Sequence, residues 1–361
     1  MYIKKLFVEN FRNLSWLEFS PAEGVNLIYG ANGSGKTSLL EAISYLSLGR
    51  SFKTSKYHSL ISNGKSGFII SSKIKEDSDK PEITLGISRD RFRDKDLHIK
   101  INSNKVSNLS ELVDKICVQI MHPQGIELIT GLPEVRRRFL DWGVYFSVPD
   151  YLKLWAKYRR ILAQRNWLLK TNSSEAQIVV WDDLFCSLAE KINYYRIRYL
   201  KEYIDIFNDK IAKFLPDLTF EFSFYNGWDS EVDLRSAVSL HLEKDRFLGY
   251  TFYGCHRADL RLKASNQTAA DFLSRGQLKL LVCAMKLSQG YLFFKQTGRK
   301  CIFLIDDLTS ELDIHSRNLL LNDLSALSNQ VFITNISENI DFPGFNNVSC
   351  FDIAGNIKNS A

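Results

Sequence analysis

The chain has 361 residues, 45% of them hydrophobic and 24% charged, a balance that excludes disordered and fibrous classes and suits two domains or one domain with a large insertion. Its net charge of +6 permits a polyanionic partner without requiring one. No apolar run approaches the ~20 residues of a membrane span, and the six cysteines form no Cys-x-x-Cys pair, which points to buried thiols in a reducing, cytoplasmic setting.

Ile3 to Val8 reads as a strand and not as the apolar core of a signal peptide, and this strand ends near Phe11-Arg12-Asn13. A second strand, Val25 to Tyr29, enters a Gly-rich turn, and a helix begins near Lys36. From Gly67 to Val106 the pattern alternates in short antiparallel strands, at Phe68 to Ile74, Ile83 to Ile87 and Leu97 to Ile101. Between Pro149 and Leu215 the period becomes helical. Trp155, Tyr158, Leu162 and Leu169 form one stripe, and Trp181, Leu184, Leu188, Ile192, Tyr195 and Tyr199 another, separated by Thr171-Asn172-Ser173-Ser174. This predicts an antiparallel helical hairpin whose aromatic stripes are packing and not a ligand box. A strand from Leu218 to Tyr225 and a helix around Ser236 to Phe247 follow. No repeat or low-complexity tract is present.

Gly30-Ala31-Asn32-Gly33-Ser34-Gly35-Lys36-Thr37 has the phosphate-loop spacing and lies between a strand and a helix. The glycines allow positive φ and close backbone approach, the helix N-terminus favours an anion, Lys36 reaches the β- and γ-phosphates, and Thr37 ligates Mg²⁺, with Ser38 adjoining. Cys301 to Ile305 is an apolar run ending in Asp306 and Asp307, the pattern of a central parallel strand reaching the nucleotide edge of a sheet. Asp306 is expected in the Mg²⁺ shell and Asp307 as the general base for water. Lys36 and Asp306 stand 270 positions apart. Ser274-Arg275-Gly276-Gln277 opens the apolar helix Leu278 to Leu287, so it is either an anion site or a helix cap. Leu308 to Asp313 adds a polar turn, and Val331 to Asn335 is another strand ending in a hydroxyl and an amide.

In this order the segments resemble the Walker A, signature, Walker B, D-loop and switch series of ABC ATPases, with an insertion of the SMC-head kind. Further segments narrow the resemblance to the RecF family over essentially the whole chain: Leu6 to Asn13, Gly49 to Lys53, Gly131 to Asp141, Gln164-Arg165-Asn166 and Gly254 to Asp259. Cys255 stands where that family carries proline, and Arg275 where its signature commonly carries a smaller or neutral residue.

The resemblance implies an α/β fold, an ABC/SMC-type P-loop ATPase head with a mixed sheet and an inserted helical-hairpin arm. The expected division is residues 1–130 and 249–361 for the head and 131–248 for the arm. It also implies a Q-loop role for Gln124, with Gln119 close by as an alternative. Arg12 and Asn13 are expected near the nucleotide, or else in a surface turn. ATP and Mg²⁺ are the expected cofactors. Ser274, Gly276 and Gln277 are expected to contact ATP held by a second copy, giving an ATP-dependent homodimer. The implied setting is replication, repair of DNA damage and the SOS response, on duplex and gapped DNA, with the mediator proteins RecR and RecO, no membrane and slow turnover. Candidate DNA contacts are Lys4, Lys53, Lys56, Arg136, Arg159 and Arg160, each of which has a plain surface or structural reading. A transporter subunit, a small-molecule kinase and a nucleotide-independent DNA clamp are the rival readings.

Overall fold

The computed structural model describes residues 1–76, 79–92, 94–106, 108–308, 312–345 and 348–354, with the side chains of 94–96 outside the description. Two compact units result: residues 1–125 with 298–361, and residues 126–297. The inserted unit therefore closes near 297 and not at 248, the end expected from the sequence.

The first unit opens with β1 (Tyr2–Phe11), β2 (Leu14–Phe19) and β3 (Val25–Tyr29), followed by helix α1 (Lys36–Leu48). β4 (Gly67–Lys75), β5 (Ile83–Asp90), β6 (Asp94–Ile101) and β7 (Asn104–Val106) come next, and then α2 (Leu109–Val113) and β8 (Val118–Met121). The antiparallel sheet runs β2-β1-β4-β5-β6-β7. Along β4 every second residue, from Phe68 to Ile74, faces inward, as a half-solvated sheet requires. A register shift between Ile3 and Lys5 resets this alternation in β1, so that Ile3, Leu6 and Val8 are all buried.

The second unit contains α3 (Glu127–Thr130), α4 (Pro133–Ser147), α5 (Tyr151–Lys170), α6 (Glu175–Val179) and α7 (Asp182–Phe214). These lead to β9 (Phe220–Tyr225), α8 (Leu234–Leu240), α9 (Leu242–Leu248), β10 (Asp259–Ala264), β11 (Gln267–Thr268), α10 (Ala269–Phe272) and α11 (Arg275–Thr297). α5 and α7 form the expected antiparallel hairpin. Near its turn Arg165 of α5 meets Asp182 of α7 at 2.9 Å, and further along Tyr158 stacks on Phe185. Arg165 is 0% exposed and also donates to Asp245 and Thr251, each at 2.8 Å. Arg196, equally buried, is held by Asp141 through two bonds. Buried charges of this kind are stable only when paired, and loss of one partner costs about 3–5 kcal/mol.

Helix α11 joins this unit because its apolar face packs on α7 and α4. Tyr203 donates to the carbonyl of Met285 at 3.1 Å, and Gln289 donates to that of Phe139 at 2.7 Å.

On returning to the first unit the chain adds β12 (Ile302–Ile305), α12 (Ile314–Ala326), β13 (Val331–Asn335) and β14 (Val348–Asp352). The parallel sheet has the order β14-β3-β13-β12-β8. β12 and β13 are buried throughout, which is why they read as continuous apolar runs. Ile305 pairs with Ile333, and Asn335 with Tyr29, so the loops after β3, β12 and β13 leave one edge together. Both sheets and α1 share one core, built around Leu6, Phe68, Leu40, Ile43, Leu304 and Phe332. Five cysteines are buried, as expected, while Cys350 on the edge strand β14 is exposed. Among the described residues no helix is long and apolar enough to cross a membrane.

Candidate nucleotide site

The loop after Tyr29 turns on glycines at positive φ: Gly33 at 80° and Gly35 at 104°. A side chain at Gly35 would also meet Leu14 Cδ2 at 2.8 Å, so both conformation and space demand glycine there. Lys36 donates from Nζ to the carbonyls of Gly30 at 2.6 Å and Ala31 at 2.8 Å, which holds its ammonium at the loop's mouth. Asn13 clamps the loop from the first hairpin. Its amide donates to the Gly33 carbonyl at 2.8 Å, and its Oδ1 accepts from Ser38 at 2.7 Å. The loop thus presents the N-terminus of the 13-residue α1 in a fixed shape, the arrangement that binds phosphate.

The strand β12 delivers Asp306 to the same place. Its Oδ1 accepts from Thr37 at 2.9 Å and from Thr334 at 2.8 Å, and the residue is 6% exposed. Asp307, at φ 57°, donates its backbone N–H to the Thr334 hydroxyl at 2.8 Å. Thr334, the hydroxyl at the end of β13, thus joins both carboxylate residues, a link that sequence spacing does not carry. Loop, carboxylates and Thr334 line an open cleft of about 900 Å³.

Thr37 Oγ1 and Asp306 Oδ1 are hard oxygen donors suited to Mg²⁺. Among the described residues no group of three or more His, Cys, Asp or Glu is gathered to hold a metal. A cation held by these two oxygens would need to complete its shell from substrate oxygens and water, the usual habit of Mg²⁺.

Arg12 lines the cleft, but its guanidinium is engaged by protein. It donates to both oxygens of Glu41 at 2.9 and 2.8 Å and to the Ser59 carbonyl at 3.0 Å. Glu41, 1% exposed, also accepts from Ser51. A lone carboxylate in a helix looks like a surface residue in sequence, so nothing there marked Glu41.

Gln119 is buried within β8, whereas Gln124 is exposed just beyond it, beside Pro123 in the cleft wall. In the second unit Ser274 and Gln277 cap α11 reciprocally: Gln277 N–H donates to Ser274 Oγ at 3.3 Å and Ser274 N–H to Gln277 Oε1 at 2.9 Å. Ser274, Arg275 and Gly276 are exposed, and a side chain at Gly276 would meet nothing within 4 Å. The D-loop segment 309–311 lies outside the described residues. Asp313, which follows it, caps α12 by accepting from Ser316 N–H at 3.0 Å.

Arg136 drops out of the DNA-contact candidates. It is bound to Asp259 at 2.7 and 3.1 Å and to the Gly131 carbonyl at 2.7 Å, so its donors serve the fold. Lys4 pairs with Glu82, while Lys53, Lys56, Arg159 and Arg160 are exposed.

Residues 2–348 match the family model described as RecF/RecN/SMC N terminal domain. The DNA replication and repair protein RecF of Shewanella pealeana is 40% identical over 336 residues, 93% of this chain and 92% of that protein. The protein of the same name from Vibrio atlanticus is 38% identical over 337 residues, 93% of each. Among solved structures, the recombination mediator protein RecF with ATP in the RecFOR pathway superposes with a TM-score of 0.88 at 28% identity, covering 98% of this chain and 96% of that one. An Smc head bound to the C-winged helix domain of ScpA shares the fold, with a TM-score of 0.54 at 16% identity over 94% of this chain and 90% of that one.

Proposed function

The chain belongs to the RecF family of SMC-type ATP-binding proteins, and on that premise we propose that it is a slow, DNA-stimulated ATPase of recombinational repair and replication-fork maintenance in the cytoplasm. ATP joins two copies head to tail on duplex DNA near gaps or single-strand junctions, hydrolysis releases them, and RecR and RecO are the mediators it assists in loading the strand-exchange protein. The observation that carries the reading is the meeting of Thr37, Asp306 and Asp307 in one cleft.

The backbone N–H groups at the start of α1 and the Lys36 ammonium hold the triphosphate. Mg²⁺, held by Thr37 and Asp306, supplies neutralisation of charge between the phosphates. Asp307 takes the proton of the attacking water, with Gln124 orienting it, and the short aspartate reach keeps turnover low. Ser274, Gly276 and Gln277 of a neighbouring copy close the site. Capping uses a lone pair of the Ser274 hydroxyl as acceptor and leaves its O–H donor for a phosphate oxygen.

Exposed Lys53, Lys56, Arg159 and Arg160 supply phosphate contacts to DNA, so binding weakens with salt. The test is anisotropy with gapped and intact duplex, with and without ATP. ATP is expected to tighten binding of the wild-type protein and to have no effect on Lys36→Ala. Equal affinity of the wild-type protein in both conditions contradicts the reading.

A further inference from the structure

The second unit carries an aromatic and cationic surface. It is built on the loop from Gly249 to Ala258, between α9 and β10. Exposed Arg257 lies over the rings of Tyr250 and Phe252, 5.3 and 5.7 Å from their centroids. Exposed Lys244 lies 5.0 Å over Phe252. Phe252 meets Tyr253 edge to face at 5.0 Å, and Tyr253 meets His241 likewise at 4.5 Å. The patch continues to Tyr225 of β9, whose hydroxyl is raised above its ordinary pKa by burial and by neighbouring Tyr253. Exposed Arg261 lies 5.3 Å over that ring.

This surface is rigid from beneath. Asp245, already bound to Arg165, accepts the Phe252 N–H at 3.0 Å, and Asn166 accepts both the N–H and the hydroxyl of Thr251 at 2.8 Å. The rings are half-buried and fixed, while the cations above them face solvent. Arg261 reaches Asp259 at 3.8 Å, whereas among the described residues neither Lys244 nor Arg257 has a carboxylate partner within ion-pair distance. An exposed guanidinium held over aromatic rings offers a nucleobase a stacking partner. Duplex DNA hides its base faces, and binding to its phosphates alone needs no aromatic floor. Unpaired nucleotides offer both a stacking face and a phosphate, and they match planes and charges together.

We propose that this surface binds unpaired nucleotides of a DNA single strand, with Arg257 stacked between a base and the Tyr250 and Phe252 rings, and with Lys244 and Arg261 on the phosphates. It rests on the preceding reading only in taking DNA as the polymer, and it requires neither ATP nor a dimer.

The test uses the full chain without nucleotide. Fluorescent blunt duplex is compared with the same duplex carrying a tail of about 15 thymidines, a length that spans one single-strand site. The wild-type protein is expected to prefer the tailed probe by about tenfold. Arg257→Gln with Lys244→Gln abolishes that preference while blunt-duplex affinity stays within about twofold. Arg257→Lys, which keeps the charge and the fold but loses the plane, also loses most of it. Unfolding midpoints of the variants establish that they fold. A tail preference that survives these changes, is absent from the wild-type protein, or is retained in full by Arg257→Lys overturns the proposal. Poly-glutamate binding that is lost in Arg257→Gln, together with no tail preference in the wild-type protein, assigns the surface to an acidic protein partner and likewise overturns it. ATP-dependent binding of blunt duplex tests the preceding reading separately.

Discussion

Thr37 Oγ1 stands 2.9 Å from Asp306 Oδ1 although 269 positions separate the two residues. The register of the parallel sheet makes this possible, because β3 and β12 flank β13 and all three end at one edge. Asp306→Asn keeps the shape and an acceptor for Thr37 but removes the charge that a magnesium ion requires. The expected outcome is loss of at least about tenfold in the Mg²⁺-dependent part of ATP affinity, with Mg²⁺-free affinity little changed. Titration of a fluorescent ATP analogue with and without Mg²⁺ measures both.

Thr334→Val is nearly isosteric, yet it removes the hydroxyl shared by Asp306 and the Asp307 N–H at a position 1% exposed. Asp306 Oδ1 then keeps only its bond from Thr37 and the Asp307 N–H loses its Thr334 acceptor, a cost of about 1–3 kcal/mol. Because Asp307 sits at positive φ, its carboxylate also loses its aim, and steady-state hydrolysis should fall more than ATP binding. Thr334→Ser restores both.

Arg12→Ala leaves the Glu41 carboxylate buried with Ser51 alone. The expected destabilisation is about 3 kcal/mol, and adding Glu41→Gln recovers part of it, since the uncompensated charge then disappears. Denaturant melts of the two single variants and the double variant form the cycle that checks this.

Burial lowers the pKa of His256 from the ordinary 6.5 to about 4. Its Nδ1 faces the Tyr158 hydroxyl at 2.7 Å and its Nε2 the Thr251 carbonyl at 3.1 Å, partners that suit the neutral ring donating from Nε2. Between pH 6.5 and 4 the unfolded chain binds a proton that the folded chain does not, so stability falls as the pH drops through that window, by up to about 3 kcal/mol. His256→Gln should be less stable at pH 7 and show a flatter decline from pH 7 to 4.5 in thermal melts. An unchanged slope would assign the acid sensitivity to other groups.

The phosphate loop was legible because its chemistry occupies eight adjacent positions, and β12 and β13 because strands buried on both faces read as apolar runs. Short β8 was not legible, since Gln119 interrupts its apolar run and is nevertheless buried. β10 was missed as well, although Leu260, Leu262 and Ala264 alternate with the exposed Arg261 and Lys263, because six residues give too little periodicity. The far boundary of the inserted unit was misplaced for a different reason: an apolar helix face such as that of α11 does not say which partner it packs on. Arg136 and Glu41 make the same point for charge, as sequence gives a residue's sign but not whether its partner lies inside the fold.

Mixing two defective variants tests most directly whether two copies share each ATP. Lys36→Ala removes the loop's cation, and Ser274→Arg blocks the exposed start of α11. Alone, each should show neither ATP-dependent self-association in sedimentation velocity nor hydrolysis. In an equimolar mixture the head-to-tail account predicts recovery of up to about half of wild-type hydrolysis, because the pairs that form are mixed and each of these has one intact composite site of two. A mixture no more active than its separate components, or a Ser274→Arg protein that associates and hydrolyses like wild type, contradicts it.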